Sequence, residues 1–386
     1  MSNSKKIAVA TFGRSDWGLL RNLLFELKAH EDIDTFLIAA GSHFLERFGN
    51  SIDEIKSDGF AIDASIDCIS GSSNKAEIVQ DMGRSLAEFG KVLSLAKPDL
   101  LVLLGDRFET LTAASAALVL GIPIAHINGG EVTEGAFDDS IRHAITKMAS
   151  LHFVANAEYE KRILQLGEDP KRVHAVGHLG LDSFRALDPM TRPELEQMLG
   201  TALSKQIFLV TIHPETSTST TPEKLVNSVL EALDSFPEAS IVFTSPNPDP
   251  GHEQISKAIQ EFVKTRDNCV LVDSLGHRAY LSLMLQSTIV IGNSSSGVLE
   301  APIAGVPSID VGDRQKGRVS RKGVRQYPAD SASIKVAISD FLELSREGTA
   351  FLAEPLDENT VSQRILRLII NQLNSSGLAN KAFNDL

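Results

Sequence analysis

Short apolar runs alternate with amphipathic stretches twice along this chain, and few folds accept that pattern. In the first half the runs are Ile7–Thr11, Thr35–Ala40, Leu100–Leu104, Ile122–Ile127, His152–Ala155 and Val173–Val176. Between them the period is helical. Leu20, Leu23, Leu24 and Leu27 share one face of Leu19–Lys28, and Ala76–Leu95 keeps the same spacing for longer. A strand that is apolar at every position is buried on both faces, so these runs predict a parallel sheet covered by helices. After a polar, proline-containing connection between about Ser183 and Lys205, the alternation restarts with Ile207–Ile212, Ile241–Thr244, Cys269–Val272, Thr288–Ile291 and Ser308–Val311. The chain is therefore expected to be an α/β protein with two Rossmann-like, doubly wound domains facing a cleft. The expected domains are 1–182 and 205–358, and an amphipathic helix in 359–386 is expected to pack back on them. A length of 386 residues suits two cores better than one.

Composition removes several function classes. The formal charge of 37 − 50 = −13 argues against a nucleic-acid or anionic-membrane surface. Cys68 and Cys269 are the two cysteines, too few for a disulfide framework or a cysteine metal site. No apolar run reaches the roughly 18–20 residues that span a bilayer, and the amino end lacks the apolar core of a signal peptide. A cytoplasmic protein with no metal or cofactor is expected.

In a parallel sheet the loops after the strand carboxyl ends gather along one edge, where ligands bind. The first such loop, Gly13-Arg14-Ser15-Asp16, offers backbone amides and an arginine to an anion, or is a tight turn capped by Asp16. The second is Gly105-Asp106-Arg107. Asp106 either caps the next helix or acts as a base, with the adjacent Arg107 holding it ionised. The third runs from His126 through Asn128-Gly129-Gly130 to Glu131, Glu134, Asp138 and Asp139, four carboxylates beside His126 and His143. In the second half, His213 lies at a strand end before Pro214. The run Gly292-Asn293-Ser294-Ser295-Ser296 leads a strand into a helix. Amides and hydroxyls at a positive helix end make a phosphate cradle, though without the lysine of a P-loop. Glu300, one turn inside that helix, is placed for ribose hydroxyls. Arg314, Lys316 and Arg318 follow as cations that can meet a nucleotide. No set of three well-spaced metal ligands is present.

Six segments in this order resemble the hydrolysing UDP-N-acetylglucosamine 2-epimerase family, of the sialic- and legionaminic-acid type. They are Gly-Arg14-Ser-Asp16, Gly-Asp106-Arg107-Phe-Glu, His126-Ile-x-Gly-Gly-Glu131, the helix start from Asp138 to Lys147, His213-Pro, and Gly-Asn293-Ser-Ser-Ser-Gly-Val-x-Glu300. The resemblance implies two domains of the glycosyltransferase B type. It also implies a reaction in which UDP leaves C1 as the C2 proton is removed, and water adds to the resulting 2-acetamidoglucal. The products would be UDP and N-acetylmannosamine. By motif, Asp106, Glu131, Asp138 and His213 are the catalytic candidates. Arg14, Arg107, His126, Asn128, Glu134, Asn293, Ser294, Ser295, Glu300 and Arg314 are the candidates for binding the nucleotide sugar. The family also implies a homo-oligomer, dimer or tetramer.

One position departs from the pattern. Sialic-acid-type members carry a catalytic glutamate where this chain has Asn128, and a carboxamide can only hydrogen-bond. Either Glu131 or Glu134 takes that role, or the substrate differs. The alternative substrate is a UDP-linked 2,4-diacetamido-2,4,6-trideoxyhexose, or a GDP-linked relative, on a legionaminic-acid route. A glycosyltransferase of the same fold and a nucleotide-sugar-binding protein without catalysis are the readings from other classes.

Overall fold

The computed structural model describes residues 4–45, 51–72, 74–134, 137–215, 220–247, 249–319, 321–346, 359–374 and 377–385. The outer ends of the expected domain spans, 1–3, 347–358 and 386, lie outside these residues. The chain divides into two compact units. The first comprises Met1–Glu131, Asp138–Ser183 and Asp357–Leu386, and the second Val132–Phe137 and Phe184–Leu356. The polar connection near residue 183 thus marks the change of unit. The short stretch Val132–Phe137, inside the acidic loop, groups with the second unit.

Unit 1 holds β1 (Lys5–Thr11), α1 (Arg14–Ala29), β2 (Ile33–Ala40), α2 (Ser51–Ser57), β3 (Ala64–Ile66), α3 (Lys75–Ala96), β4 (Leu100–Leu104) and α4 (Phe108–Val119). It continues with β5 (Ile124–Ile127), α5 (Asp138–Met148), β6 (Leu151–Val154), α6 (Ala157–Gln165), β7 (Val173–Ala175) and α7 (Gly180–Arg185), the last straddling the change of unit. Its sheet runs β3-β2-β1-β4-β5-β6-β7, every neighbouring pair parallel. Unit 2 holds α8 (Arg192–Leu199), β8 (Ile207–Thr211), α9 (Pro222–Leu233), β9 (Ser240–Thr244), α10 (His252–Val263), β10 (Cys269–Val272) and α11 (Gly276–Gln286). Then follow β11 (Ile289–Gly292), α12 (Ser295–Ile303), β12 (Ser308–Val311), β13 (Val324–Tyr327) and α13 (Ser331–Arg346). Its sheet order, β10-β9-β8-β11-β12-β13, repeats the pattern of unit 1 and is again all parallel.

The two doubly wound sheets are those the alternation predicts. Strands such as β4 and β8 are buried along their whole length because helices cover both faces. Strands β3 and β13 have no counterpart in the sequence reading. Both are short edge strands whose mixed polar residues leave no apolar run. In each sheet the order reverses at one place, between β1 and β4 and between β8 and β11, and such switch points are where open α/β sheets bind ligands. The loops after these four strands carry Arg14, Asp106, His213 and Asn293.

The C-terminal helix α14 (Val361–Leu373) belongs to unit 1 and packs on α1. Asp182 receives the N–H groups of Val361 and Ser362 at 2.8 and 2.7 Å, and Ile365 and Ile369 are fully buried. Burying two such side chains contributes about 1.5–3 kcal/mol each. Beyond the helix, Lys381 donates to the carbonyls of Lys147 and Ala149 at 2.6 and 2.7 Å, capping α5. It also pairs with Glu168 at 2.7 Å. The end of the chain thereby steadies the helix that begins at Asp138.

Candidate active site

Unit 1 gathers its candidates around a guanidinium that the motif reading quoted but did not single out. Arg142, on α5, is 1% exposed. Its Nη2 donates to Asp106 Oδ2, and its Nη1 donates to the Glu131 carbonyl at 3.0 Å and to Asp139 Oδ1 at 3.2 Å. One side chain therefore joins the loop after β4, the loop after β5 and the first turn of α5. Such a pair favours the carboxylate form of Asp106. Burial works against the charged guanidinium, but the carboxylates of Asp106, Glu131 and Asp139 outweigh it and hold Arg142 above its ordinary value.

Arg142 is thus a cation beside Asp106 that the sequence expectation, built on Arg107, did not name. Arg107 faces Glu109, with Nε to Oε2 at 3.4 Å, and Glu109 is fully buried. One expectation about Asp106 is corrected: the N-cap residue of α4 is Arg107, not Asp106. The signal for Arg142 was present in the sequence: it sits on the same inward stripe of α5 as Ile145, an odd place for an unpaired arginine.

His126 is expected to contact substrate, but the structure places it beneath the site. It is fully buried, with Nε2 at 2.8 Å from the Gly105 carbonyl and Nδ1 at 3.1 Å from Thr146 Oγ1. Burial lowers its pKa to about 3, so it is a neutral strut between the β4 turn and α5. Glu131 is 2% exposed, and Asp138, the first residue of α5, is half-buried. Glu134 falls on the other unit. It is exposed, its carboxylate lies 3.6 Å from Lys316 Nζ, and its N–H donates to the Lys316 carbonyl at 3.0 Å. The acidic loop thus contributes residues to both units. Arg14 opens α1 half-buried. Asp16, two residues on, accepts from the Phe12 N–H at 3.2 Å rather than capping the helix. Burial pushes its carboxyl up to about 6 against the pull of Arg107.

Asn128 adopts a left-handed backbone, φ 62°, and its N–H bonds the Phe153 carbonyl at 3.0 Å. Its Oδ1 is buried without a hydrogen-bond partner. Asparagine tolerates this conformation where most residues pay strain. Asn128→Glu is therefore expected to lower the unfolding free energy by about 1–2 kcal/mol and Asn128→Gly to change it little, read from urea denaturation. Equal stability of the glutamate variant would show that the backbone does not select this residue.

Unit 2 builds a second set. The Asn293 side chain accepts from the His213 N–H at 2.7 Å and returns Nδ2 to the His213 carbonyl at 2.8 Å. Asn293 is fully buried, and this pair of bonds holds the backbone of His213. His213 Nδ1 accepts from the Asn247 N–H at 3.0 Å, so in the neutral ring the proton sits on Nε2, which makes that atom a hydrogen-bond donor. Ser294 is the N-cap of α12, accepting from the Ser296 N–H at 3.3 Å. Ser296 accepts from the Tyr280 hydroxyl at 2.9 Å, and Ser295 is half-buried. Burial raises the carboxyl of Glu300, opposed by its bond to the Ser296 hydroxyl. Arg314 Nη1 donates to the Asn293 carbonyl at 3.3 Å, with Asp249 at 3.9 Å from Nη2. A helix N-terminus, a donor histidine and an arginine together suit an anion.

The fold is that of a nucleotide-sugar 2-epimerase. The UDP-GlcNAc 2-epimerase from Neisseria meningitidis, solved bound to UDP-GlcNAc, superposes with a TM-score of 0.79 over 95% of this chain and 100% of that one. At 18% identity that likeness concerns the fold alone. Two proteins are similar in sequence along most of their length. The GDP/UDP-N,N'-diacetylbacillosamine 2-epimerase (hydrolyzing) of Campylobacter jejuni is 35% identical over 100% of both chains. The polysialic acid biosynthesis protein P7 of Escherichia coli is 36% identical over 86% of this chain and 84% of its own. Residues 25–370 match the family model described as UDP-N-acetylglucosamine 2-epimerase, and the chain belongs to that family.

Proposed function

We propose that this enzyme is a hydrolysing nucleotide-sugar 2-epimerase that releases UDP or GDP from a 2-acetamido sugar and inverts C2. The observation that carries the proposal is the pairing of Asp106 with buried Arg142. A carboxylate kept ionised is a base, and removal of the C2 proton needs one. Departure of the nucleotide from C1 then gives a 2-acetamidoglucal, to which water adds, with Asp138 as the second acid–base group. The leaving diphosphate needs charge stabilisation, for which the amides at the start of α12, Arg314 and the His213 Nε2–H are suited donors. Glu300 would hold the ribose hydroxyls.

The sugar we favour is N,N'-diacetylbacillosamine, a 2,4-diacetamido-2,4,6-trideoxyhexose. Similarity to the Campylobacter enzyme over the whole chain and an asparagine at position 128 support it. UDP-N-acetylglucosamine, giving N-acetylmannosamine, is the second reading and is favoured by the description of the family model that matches residues 25–370. The test is NMR in D2O with the UDP and GDP forms of both sugars and no acceptor. Free nucleotide and a sugar carrying deuterium at C2 are expected from the diacetamido substrate first. Nucleotide release without deuterium would overturn the elimination mechanism, and a requirement for an acceptor would mark a glycosyltransferase.

A further inference from the structure

Unit 2 contains a buried carboxyl that the proposed chemistry does not use. Asp310 lies near the carboxyl end of β12, in register with Gly292 on β11 and Gln326 on β13. It is 5% exposed, and its Oδ1 is buried with no hydrogen-bond partner. An acceptor buried in that state is unfavourable, and more so when it is ionised. Gln315 Oε1 is a second buried acceptor without a partner on the loop that follows β12.

The charged groups around Asp310 come from two loops. Arg318, Arg314 and Asp313 follow its own strand, and Glu215 follows β8. The flanking strands place only the uncharged Gly292 and Gln326 beside it. Glu215 Oε1 accepts the N–H groups of Asp313 and Arg314 at 2.7 and 3.1 Å, so that carboxylate is occupied in holding the loop. Arg314 also reaches the Asn293 carbonyl, one residue before the N-cap of α12. The orphan carboxyl, the arginines and the helix start therefore form one cluster.

We propose that Asp310 is a positioning residue of this anion cradle, which balances Arg314 and Arg318 while the cradle is free and takes a proton from solvent as a diphosphate binds. Arginine keeps its charge at neutral pH, so adjustment falls to a carboxyl, and Asp310 is the buried one whose Oδ1 lacks a partner, whereas Glu215 holds the loop N–H groups. Burial pushes Asp310 up to about 7, against the pull of Arg318 and Arg314, which puts the exchange in the neutral range. An added anion opposes the carboxylate and raises it further, so the sign is proton uptake on binding. The protonated Oδ1 then has an O–H of its own to donate.

This inference rests on the nucleotide-sugar reading above. The experiment is calorimetric titration of UDP into the full chain at pH 7, in two buffers of different ionisation enthalpy, for wild type and Asp310→Asn. Proton release by the phosphate is common to both proteins, so their difference isolates Asp310. Wild type is expected to take up as much as roughly half a proton more per UDP, because a group titrating near 7 starts about half ionised. Infrared difference spectra of wild type with UDP should show a new carboxylic-acid carbonyl band, absent from the variant. Equal uptake in the two proteins, or no such band in wild type, would overturn the proposal, and the infrared measurement decides it should the variant not fold. Failure of wild type to bind UDP would instead remove the nucleotide reading, and this inference with it.

Discussion

Arg142→Met is expected to lower the unfolding free energy by about 3–5 kcal/mol and to reduce kcat by roughly 10²–10⁴-fold. The first figure follows from breaking a buried ion pair on one side. Methionine fills much of the volume but leaves Asp106, Asp139 and the Glu131 carbonyl without the donor they share. The second follows from the carboxylate. Without the guanidinium beside it, Asp106 is less readily ionised, so the acid limb of the kcat profile should move to higher pH. Arg142→Lys should recover part of the stability, since it restores charge, but less of the turnover, because one ammonium cannot join two loops and a helix turn as a planar fork does. Urea denaturation and kcat against pH measure both effects. A methionine variant with a wild-type pH profile would separate Arg142 from the chemistry and leave it a structural strut.

Gly292→Ala is expected to be the more damaging change to folding, lowering stability by more than about 3 kcal/mol or abolishing soluble protein. Gly292 ends β11 at φ 133°, a backbone conformation that side chains rarely adopt, and a Cβ there would run into the Thr211 carbonyl of β8. That obstacle is backbone in a paired strand, so it cannot rotate away. Movement of β8 against β11 would also disturb the Asn293–His213 bridge, because Thr211 and Asn293 are already joined by a backbone bond at 3.2 Å. Gly83→Ala is the control. Gly83 is inside α3 with open space around it, so alanine there should stabilise the protein by about 0.5–1 kcal/mol. Thermal denaturation of the two variants side by side checks both signs, and a Gly292→Ala protein as stable as wild type would refute the steric argument.

Much of the fold was legible because its signals are local. Leu100–Leu104 is apolar at every position, and a stretch buried on both faces needs no distant information to be recognised. Edge strands such as Val324–Tyr327 lack that signature, since one side of the strand meets solvent and polar residues fit there. The loops at strand ends were found by the same local route, and Asp106, His213 and Ser294 do lie beside the two switch points.

The roles within those loops were less legible. Arg107 adjoins Asp106 in sequence, yet Asp106 pairs with Arg142, 36 residues away. The pairing depends on β4 and β5 being neighbours, which brings the start of α5 beside the loop after β4. His126 carries the residue type of a ligand contact, but its position in the middle of a covered strand makes it a buried brace. Glu131 and Glu134 are three residues apart and belong to different units.

The amino-acid sequence was enough for the two α/β sheets and the family, because periodicity, turn residues and motif order are properties of contiguous chain. Tertiary structure alone decided which arginine holds which carboxylate, that Asn128 occupies a left-handed turn, and that Asp310 is buried beside Arg314 and Arg318. Ion pairing, desolvation and backbone strain depend on what surrounds a group in space, and those neighbours come from strands that meet only when the sheets assemble.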